Sequence, residues 1–224
     1  MSAALRIKVN VTSDPVCPFC LLGIRQFQLA LHKWQEANHG TPVETVITLL
    51  PYQLQPQMDD QPFPRNDWGE KRRGKEGWQQ VLTSLKQQYA EVGLDYHMNA
   101  MVSGTRTAHR LTQYALDKKG PSANFAVGMD IMRGYHIDGI APSDRNLLAG
   151  IAVKNGLFAK ASDAVAWLNG LEEDAEVQKL EDKGVAEGIR GVPHFVFQDK
   201  YATSGAQGVD AFYQIIDQVV QKSK

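Results

Sequence analysis

Two cysteines, Cys17 and Cys20, are the residues of this 224-residue chain whose type and spacing best suit covalent chemistry. A cysteine at a helix N-terminus faces free backbone N–H groups and the positive end of the helix dipole, and both stabilise a thiolate. Pro18 suits an early helical position because it has no N–H to satisfy. The spacing of the motif places the second sulfur close enough to attack a mixed disulfide. The motif C-P-F-C therefore predicts thiol–disulfide exchange, with Cys17 as the more exposed, more reactive thiol and Cys20 as its resolving partner.

A structural zinc half-site is the alternative reading of the same motif. A tetrahedral zinc ion needs four ligands, but the chain has no second C-x-x-C and no histidine pair at ligand spacing. A disulfide stapling the fold is also a poor explanation, because cysteines this close together enclose almost no loop. The sequence therefore predicts no metal site.

A second element is the tripeptide G-V-P at 191–193, directly before a predicted strand. Proline cannot donate to a sheet ladder, so it marks an edge or a special loop. A cis Pro193 would turn the chain sharply and present the Val192 backbone to an extended substrate. Alone, the tripeptide also fits an ordinary proline at a strand entry. Together with C-x-x-C, it predicts that Pro193 faces Cys17.

The elements that must position these residues lie at the two ends of the chain. The first 50 residues have a β–α–β pattern, and the last 30 or so have a β–β–α pattern. Predicted strands cover 5–11, 43–50, 194–198 and 201–204, and the first helix begins at Cys17. An acidic helix over 171–187 leads back to the sheet.

The middle of the chain has a different pattern. Residues 53–67 are rich in proline and polar residues, which predicts a loop. Helical spacing of apolar residues then recurs, and no strand pattern is found between about 55 and 170. The sequence therefore predicts an α/β fold in which residues 1–54 and 171–224 form one discontinuous domain and residues 55–170 form an all-helical insertion.

Composition excludes several classes of function. The net charge is −1, from 24 basic and 25 acidic residues, so nucleic acid and anionic membranes are not expected partners. The basic run at 71–75 is flanked by glutamates and is interpreted as a solvated helix start. No apolar stretch is long enough to span a bilayer, and residues 1–5 are too short for a signal peptide. We therefore expect a cytoplasmic protein.

The combination of these elements resembles the thioredoxin superfamily, and within it the DsbA-like proteins with a helical insertion. The closest resemblance is to the FrnE-like subgroup, which groups with 2-hydroxychromene-2-carboxylate isomerases and kappa-class glutathione transferases. The segments that carry it are S-D-P-V-C-P-F-C-L-L-G at 13–23, T-A-H-R-L at 107–111, G-V-P-H-F-V-F at 191–197 and Y-A-T-S-G-A-Q at 201–207. Phe19 departs from the pattern because a tryptophan is common at that position, and Pro15 replaces an aliphatic residue.

The resemblance implies a thioredoxin fold, a cis Pro193 and dithiol–disulfide chemistry at Cys17 and Cys20. It also leaves two other functions open. The isomerase and transferase relatives use a serine at the position of Cys17 to activate glutathione, so a glutathione-dependent isomerase or transferase is one alternative. A chaperone-like binding module without enzymatic activity is the other.

The expected substrate is a protein or small-molecule thiol or disulfide, with glutathione as a candidate co-substrate and no required cofactor. The turn at 204–207 has backbone N–H groups that could hold a carboxylate such as the γ-glutamyl end of glutathione. A homodimer is compatible with the sequence but is not specified by it. The residues expected to bind substrate are Pro18, Phe19, Val192, His109, Ser204 and Gln207, although a buried structural role is the alternative for His109.

Overall fold

The computed structural model describes residues 4–223. Six strands and eight helices are found in this part of the chain. Their order is β1 (Leu5–Ser13), α1 (Pro18–Ala37), β2 (Val43–Pro51), β3 (Phe63–Pro64), α2 (Arg65–Glu91), β4 (Met101–Val102), α3 (Arg106–Lys119), α4 (Pro121–His136), α5 (Arg145–Lys154), α6 (Ala161–Leu168), α7 (Asp174–Ala186), β5 (His194–Phe197), β6 (Tyr201–Ser204) and α8 (Val209–Ser223).

The central sheet has four strands in the order β2-β1-β5-β6. Strands β1 and β2 are parallel, whereas β5 pairs antiparallel with both β1 and β6. Val9 pairs with Ile47 and with Phe197, and Val11 pairs with Phe195. Because β1 lies inside the sheet, Val9 and Val11 are fully buried, and the end of β1 delivers the chain to the cysteine motif.

An aromatic cluster fixes α1 against the sheet. Phe27 of α1 lies with its ring centroid 5.8 Å from those of Phe197 and Phe212 and 6.3 Å from that of Phe195. All four rings are buried, so the cluster joins α1, β5 and α8. Burial of an aromatic side chain is a large stabilising contribution, so this cluster stabilises the packing of the helix that carries Cys20 against the sheet.

Helices α2 to α6 and strands β3 and β4 lie between the two halves of the sheet in sequence. The pairing of β3 with β4 differs from the prediction of a strand-free middle. Each strand has only two residues, which is too short for the alternation that identifies a strand in a sequence. Neither strand joins the central sheet.

The predicted loop over 53–67 ends earlier than expected, because α2 begins at Arg65. This helix is kinked at Gly74, whose φ of 71° and ψ of 160° are not helical. The basic run at 71–75 therefore spans the kink, where one helical segment of α2 ends and the next begins, and its residues are exposed as predicted.

The middle segment packs against the sheet domain rather than standing apart from it. Leu82, Leu85 and Tyr89 of α2 belong to the same buried cluster as α1 and β1, while α3 to α6 share a second cluster. The domain boundaries at 54/55 and 170/171 stay a prediction, and residues 1–3 and 224 at their outer ends lie outside the described residues. None of the helices within residues 4–223 is both long enough and apolar enough to cross a membrane.

Candidate functional site

The C-P-F-C motif lies where β1 ends and α1 begins. Cys17 is the N-cap residue of α1, and Pro18 occupies the first helical turn. The Cys17 N–H donates to the Asp14 carbonyl at 3.0 Å, and the Cys20 N–H donates to the Cys17 carbonyl at 3.0 Å. No disulfide joins the two sulfurs in this structure. Cys17 is 4% exposed and Cys20 is 0% exposed, so Cys17 is the more accessible of two largely buried residues.

The G-V-P loop lies against the first cysteine. The Cys17 Sγ is 3.5 Å from the carbonyl oxygen of Val192, and the Val192–Pro193 peptide bond is cis. The Gly205 N–H donates to the Pro193 carbonyl at 2.8 Å, which ties the loop to the turn after β6. A Cβ at Gly23 would meet the Pro193 ring at 3.3 Å, so this glycine lets the loop approach α1 closely.

The surroundings of Cys20 disfavour its thiolate. Burial raises its pKa well above the usual value, and the hydrogen bond and negative charge of Cys17 raise it further. A buried, protonated thiol is a poor initial nucleophile but is suited to act after a mixed disulfide has formed beside it. This asymmetry agrees with the roles that the spacing predicts for the two cysteines.

Asp14 holds the turn that precedes the motif. Its carboxylate is fully buried and accepts hydrogen bonds from the Val16 N–H at 3.3 Å and the Leu54 N–H at 2.7 Å. Asp14 lies between a buried strand and the C-x-x-C motif, and this place in the sequence is the feature that indicates its role in holding the turn. A buried carboxylate there needs hydrogen-bond donors nearby.

His109 lies in a different place from the one expected of a substrate-binding residue. It is 5% exposed, and its Nε2 lies 3.1 Å from the Tyr52 carbonyl and 3.8 Å from an Asp14 oxygen. It does not line the groove beside the cysteines. The structure therefore favours the alternative considered for His109, a buried histidine with protein partners, because α3 turns this side chain toward the interior.

Ser204 and Gln207 lie near the Pro193 loop. In the sheet, Ser204 pairs with His194, and the His194 Nδ1 lies 2.7 Å from the Ser204 Oγ. The Gln207 side-chain amide donates to the Ser204 carbonyl. The turn at 204–207 therefore follows β6, which pairs with the strand that begins directly after Pro193, and the Ser204 hydroxyl already has a protein partner.

A buried cluster of aromatic side chains packs against the C-P-F-C motif. The Tyr89 hydroxyl donates to the Pro18 carbonyl at 2.7 Å. The fully buried His136 ring is stacked against Tyr96, with centroids 6.0 Å apart, and faces the backbone near Cys17. Burial and the nearby charge of Arg65 lower the pKa of His136 to about 3. Helical periodicity in the sequence does not indicate these contacts, because they depend on how α2 and α4 pack.

A groove of about 440 Å³ opens beside the motif. Pro18 and Phe19 form part of its wall, and Phe19 is 43% exposed. The opposite wall comes from α2, including Trp68 and Trp78. A groove of this size next to a reactive thiol can hold a small molecule or a short peptide segment.

The dithiol is the reactive group that the geometry provides at this site. Across residues 4–223, no three or more His, Cys, Asp or Glu side chains are grouped so that they could hold a metal ion. The arrangement is a cysteine at a helix N-terminus, a buried second cysteine one turn later, and a proline loop against the first sulfur.

Comparisons with known proteins match the chain to one family and to several solved structures. Residues 8–217 match the family described as DSBA-like thioredoxin domain. Among solved structures, a probable DsbA oxidoreductase, SCO1869 from Streptomyces coelicolor, is 24% identical with a TM-score of 0.80, over 96% of this chain and 90% of that one. A 2-hydroxychromene-2-carboxylate isomerase is 15% identical with a TM-score of 0.67, over 96% and 97% of the two chains. The cytosolic disulfide reductase DsbM from Pseudomonas aeruginosa, solved with GSH, is 16% identical with a TM-score of 0.60, over 96% and 99%.

These structural likenesses show the fold. They confirm the predicted α/β thioredoxin fold with a helical insertion, and the family match confirms the predicted DsbA-like resemblance. The match over residues 8–217 covers most of the sequence, including the C-P-F-C motif and the G-V-P loop. The chain therefore belongs to the DSBA-like thioredoxin domain family.

Proposed function

We propose that the protein is a thiol–disulfide oxidoreductase that uses the Cys17–Cys20 dithiol. The observation that carries this proposal is the unequal environment of the two sulfurs at one helix N-terminus. Cys17 caps α1 and lies against the Val192 carbonyl, whereas Cys20 is fully buried with a raised pKa. This is the arrangement that a two-step exchange requires.

In the proposed reaction, the Cys17 thiolate attacks one sulfur of a substrate disulfide. A mixed disulfide forms, and the other substrate sulfur leaves as a thiolate. Cys20 then loses its proton and attacks the Cys17 sulfur, which releases the second substrate thiolate. The protein is left with a Cys17–Cys20 disulfide, and the substrate has gained two electrons. The same steps in reverse oxidise a dithiol substrate.

The substrate is proposed to lie along the G-V-P loop, between Val192 and the motif residues Pro18 and Phe19. An extended substrate could pair with the Val192 backbone, which is the role expected of an edge beside the reactive sulfur. Glutathione is the small thiol we propose as exchange partner, with its γ-glutamyl carboxylate near Ser204 and Gln207. The likeness to DsbM, solved with GSH and described as cytosolic, supports both this partner and a cytoplasmic location.

A trapping experiment tests the proposal. Cys20→Ser protein incubated with glutathione disulfide should retain one glutathionyl group on Cys17, because no resolving thiol is present to release it. The matched Cys17→Ser variant should retain little, because Cys20 is buried and protonated. Intact-mass analysis followed by peptide mapping gives the site. Equal labelling of the two variants, or labelling mainly of Cys20, would contradict the assignment.

A glutathione-dependent isomerase is the second candidate, supported by the fold shared with 2-hydroxychromene-2-carboxylate isomerase. The two candidates respond differently to the loss of Cys20. Disulfide turnover needs both sulfurs, so Cys20→Ser should abolish it, whereas isomerisation would survive in that variant. A chaperone-like binding activity would survive Cys17→Ala as well.

A further inference from the structure

The central sheet has an open edge at β6. The opposite edge strand, β2, bonds through the Leu49 backbone to the side chain of Asn124 on α4. Strand β6 pairs with β5 alone, and its other side has no neighbouring strand among residues 4–223. An open edge presents backbone N–H and C=O groups with which an extended chain can pair. The exchange chemistry proposed at Cys17 does not use this edge.

The register of β6 against β5 identifies the backbone groups that face the open side. The Gly205 N–H donates to the Pro193 carbonyl, so these two residues form a hydrogen-bonded pair. Hydrogen-bonded and non-hydrogen-bonded pairs alternate along an antiparallel ladder. Val196 and Ala202 form the third pair after Pro193 and Gly205, so theirs is a non-hydrogen-bonded pair. The Ala202 N–H and C=O therefore point away from β5, toward the open edge.

A groove of about 340 Å³ lies between this edge and α8. Tyr201 and Ala202 line it on the side of β6, and Ile215, Val219 and Lys222 line it on the side of α8. Alternate side chains of a strand point to the same face, so every second side chain of a chain paired with β6 would enter this groove. The volume is within the range of ligand-binding pockets.

The groove is basic at the β5–β6 hairpin, the end of β5 away from Pro193. The Lys200 Nζ lies 5.4 Å from the centroid of the Tyr201 ring, and the Lys222 Nζ lies 4.7 Å from the same centroid. Within residues 4–223, neither lysine forms a salt bridge, and no acidic residue lines the groove. Two positive charges at one ring repel each other, so a carboxylate beside them is stabilising.

The hairpin holds this basic end in place. Gln198 and Asp199 have positive φ values of 51° and 54° in the turn. The Gln198 N–H donates to the Lys8 carbonyl at 2.9 Å, and the Asp199 carboxylate pairs with the Lys8 Nζ at 2.9 Å. Because Asp199 is already paired with Lys8, it does not neutralise Lys200.

We propose that the β6 edge binds an extended acidic segment of a partner protein. The segment adds a strand beside Ala202 and places a carboxylate side chain near Lys200 and Lys222. Charge complementarity identifies the partner, because the lysines favour an acid and the open backbone favours an extended chain. Side chains on one face of a strand recur every second residue, so an apolar residue two positions from the acid would lie against Ile215. Binding at this edge does not depend on disulfide exchange.

Fluorescence anisotropy with a labelled, capped peptide tests the proposal on the reduced full-length protein. The probe G-E-T-V-T-E-T-V-G presents glutamate and valine in turn on one face of a strand, and its control has glutamine in place of both glutamates. We expect the acidic peptide to bind about fivefold or more tightly than the control, since one carboxylate meets two lysines. The preference should fall at high salt, because exposed charges are screened.

Variants of the protein separate the charge from the backbone pairing. Lys200→Gln and Lys222→Gln should each weaken binding of the acidic peptide about two- to fivefold. Lys86→Gln, an exposed cation of α2 that does not line the groove, is the matched control and should have no effect. Ala202→Pro removes an N–H that points away from β5, so it should weaken both peptides while the ladder is kept.

Hydrogen exchange of the unmodified protein locates the bound peptide, which should slow exchange of the Ala202 amide. Equal affinity for the two peptides, no binding at millimolar concentration, slowed exchange elsewhere only, or an equal effect of Lys86→Gln would overturn the proposal. Self-association that Ala202→Pro abolishes, measured by sedimentation, would assign the edge to a second copy of the chain and would also overturn it. Trapping of glutathione on Cys17 is measured separately, so the oxidoreductase assignment stands or fails independently.

Discussion

At the scale of single residues, neighbouring groups set the chemistry of the site. Cys17 and Cys20 differ little in exposure, yet Cys20 is surrounded by apolar side chains and the Cys17 sulfur. The Asp14 carboxylate accepts hydrogen bonds from two backbone N–H groups, and these bonds fix the turn that leads into the C-P-F-C motif.

Alkylation at neutral pH should distinguish the two thiols. We expect iodoacetamide to label Cys17 before Cys20 in the reduced protein, because only thiolates react and the thiolate of Cys20 is disfavoured. Each unit by which the pKa of Cys20 is raised lowers its thiolate fraction about tenfold. Quenched time points read by peptide mass give the order. Faster labelling of Cys20 would reverse the assigned roles.

His136 should make the protein sensitive to acid. Its folded pKa of about 3 lies below its usual value of 6.5, so the unfolded chain binds a proton between these values and the folded chain does not. Stability is then complete above about pH 6.5 and falls as the pH drops toward 3, by up to about 1.4 kcal/mol per pH unit. Urea unfolding at several pH values should show this slope, and His136→Phe should reduce it. The exposed His32→Gln serves as control, and an unchanged slope in His136→Phe would contradict the account.

At the scale of elements, the shape of α2 makes the groove. The kink at Gly74 brings Trp78 back against Gly69, and the Trp78 indole N–H donates to the Asn66 side chain at 3.0 Å. A Cβ added at Gly69 would lie 2.1 Å from the Trp78 ring. The groove wall therefore depends on a glycine that leaves room for an indole.

Gly69→Ala should destabilise the protein by about 1–3 kcal/mol, the usual cost of overpacking a filled site. The matched control is Gly150→Ala in α5, where the added Cβ meets nothing within 4 Å. That substitution should stabilise by about 0.5–1 kcal/mol, because alanine is the better helix former. Urea midpoints measure both. A Gly69→Ala protein as stable as the wild type would show that Trp78 does not occupy this position.

Local patterns in the sequence predict the ends of the chain well and the middle less well. The β–α–β start and the β–β–α end have clear periodicity, so their elements match the structure closely. The kink at Gly74 and the pairing of β3 with β4 have no such pattern. The burial of Arg65 and His109 depends on packing between distant helices. The sequence consequently identified the cysteines, but it did not identify the groove beside them and did not settle the interior position of His109.

At the scale of the whole molecule, the helical segment and the sheet are joined by a buried amide. Asn124 of α4 accepts from the Leu49 N–H at 2.7 Å and donates to the Leu49 and Thr112 carbonyls at 3.2 and 3.1 Å. Leu49 lies on β2, an edge strand of the central sheet. The amide therefore satisfies backbone groups that the edge would otherwise leave unpaired.

Asn124→Ala should lower the free energy of unfolding by about 2–3 kcal/mol, because buried backbone groups lose their partners. Ser122→Ala, an exposed position of the same helix, should have little effect. Urea unfolding followed by both circular dichroism and tryptophan fluorescence should give one coincident transition for the wild type. Separate transitions by the two probes would show that the insertion and the sheet unfold independently.

The central claim is that Cys17 and Cys20 form a working dithiol–disulfide pair, and a redox titration tests it most directly. The full chain is equilibrated in buffers of varied ratio of reduced to oxidised glutathione, quenched with acid, alkylated and analysed by mass. The account predicts a single reversible two-electron transition. In it, Cys17 and Cys20 become protected from alkylation together, because they form an intramolecular disulfide. A protein that keeps both thiols free across the titration, or that collects glutathione on each cysteine without forming the disulfide, would contradict it.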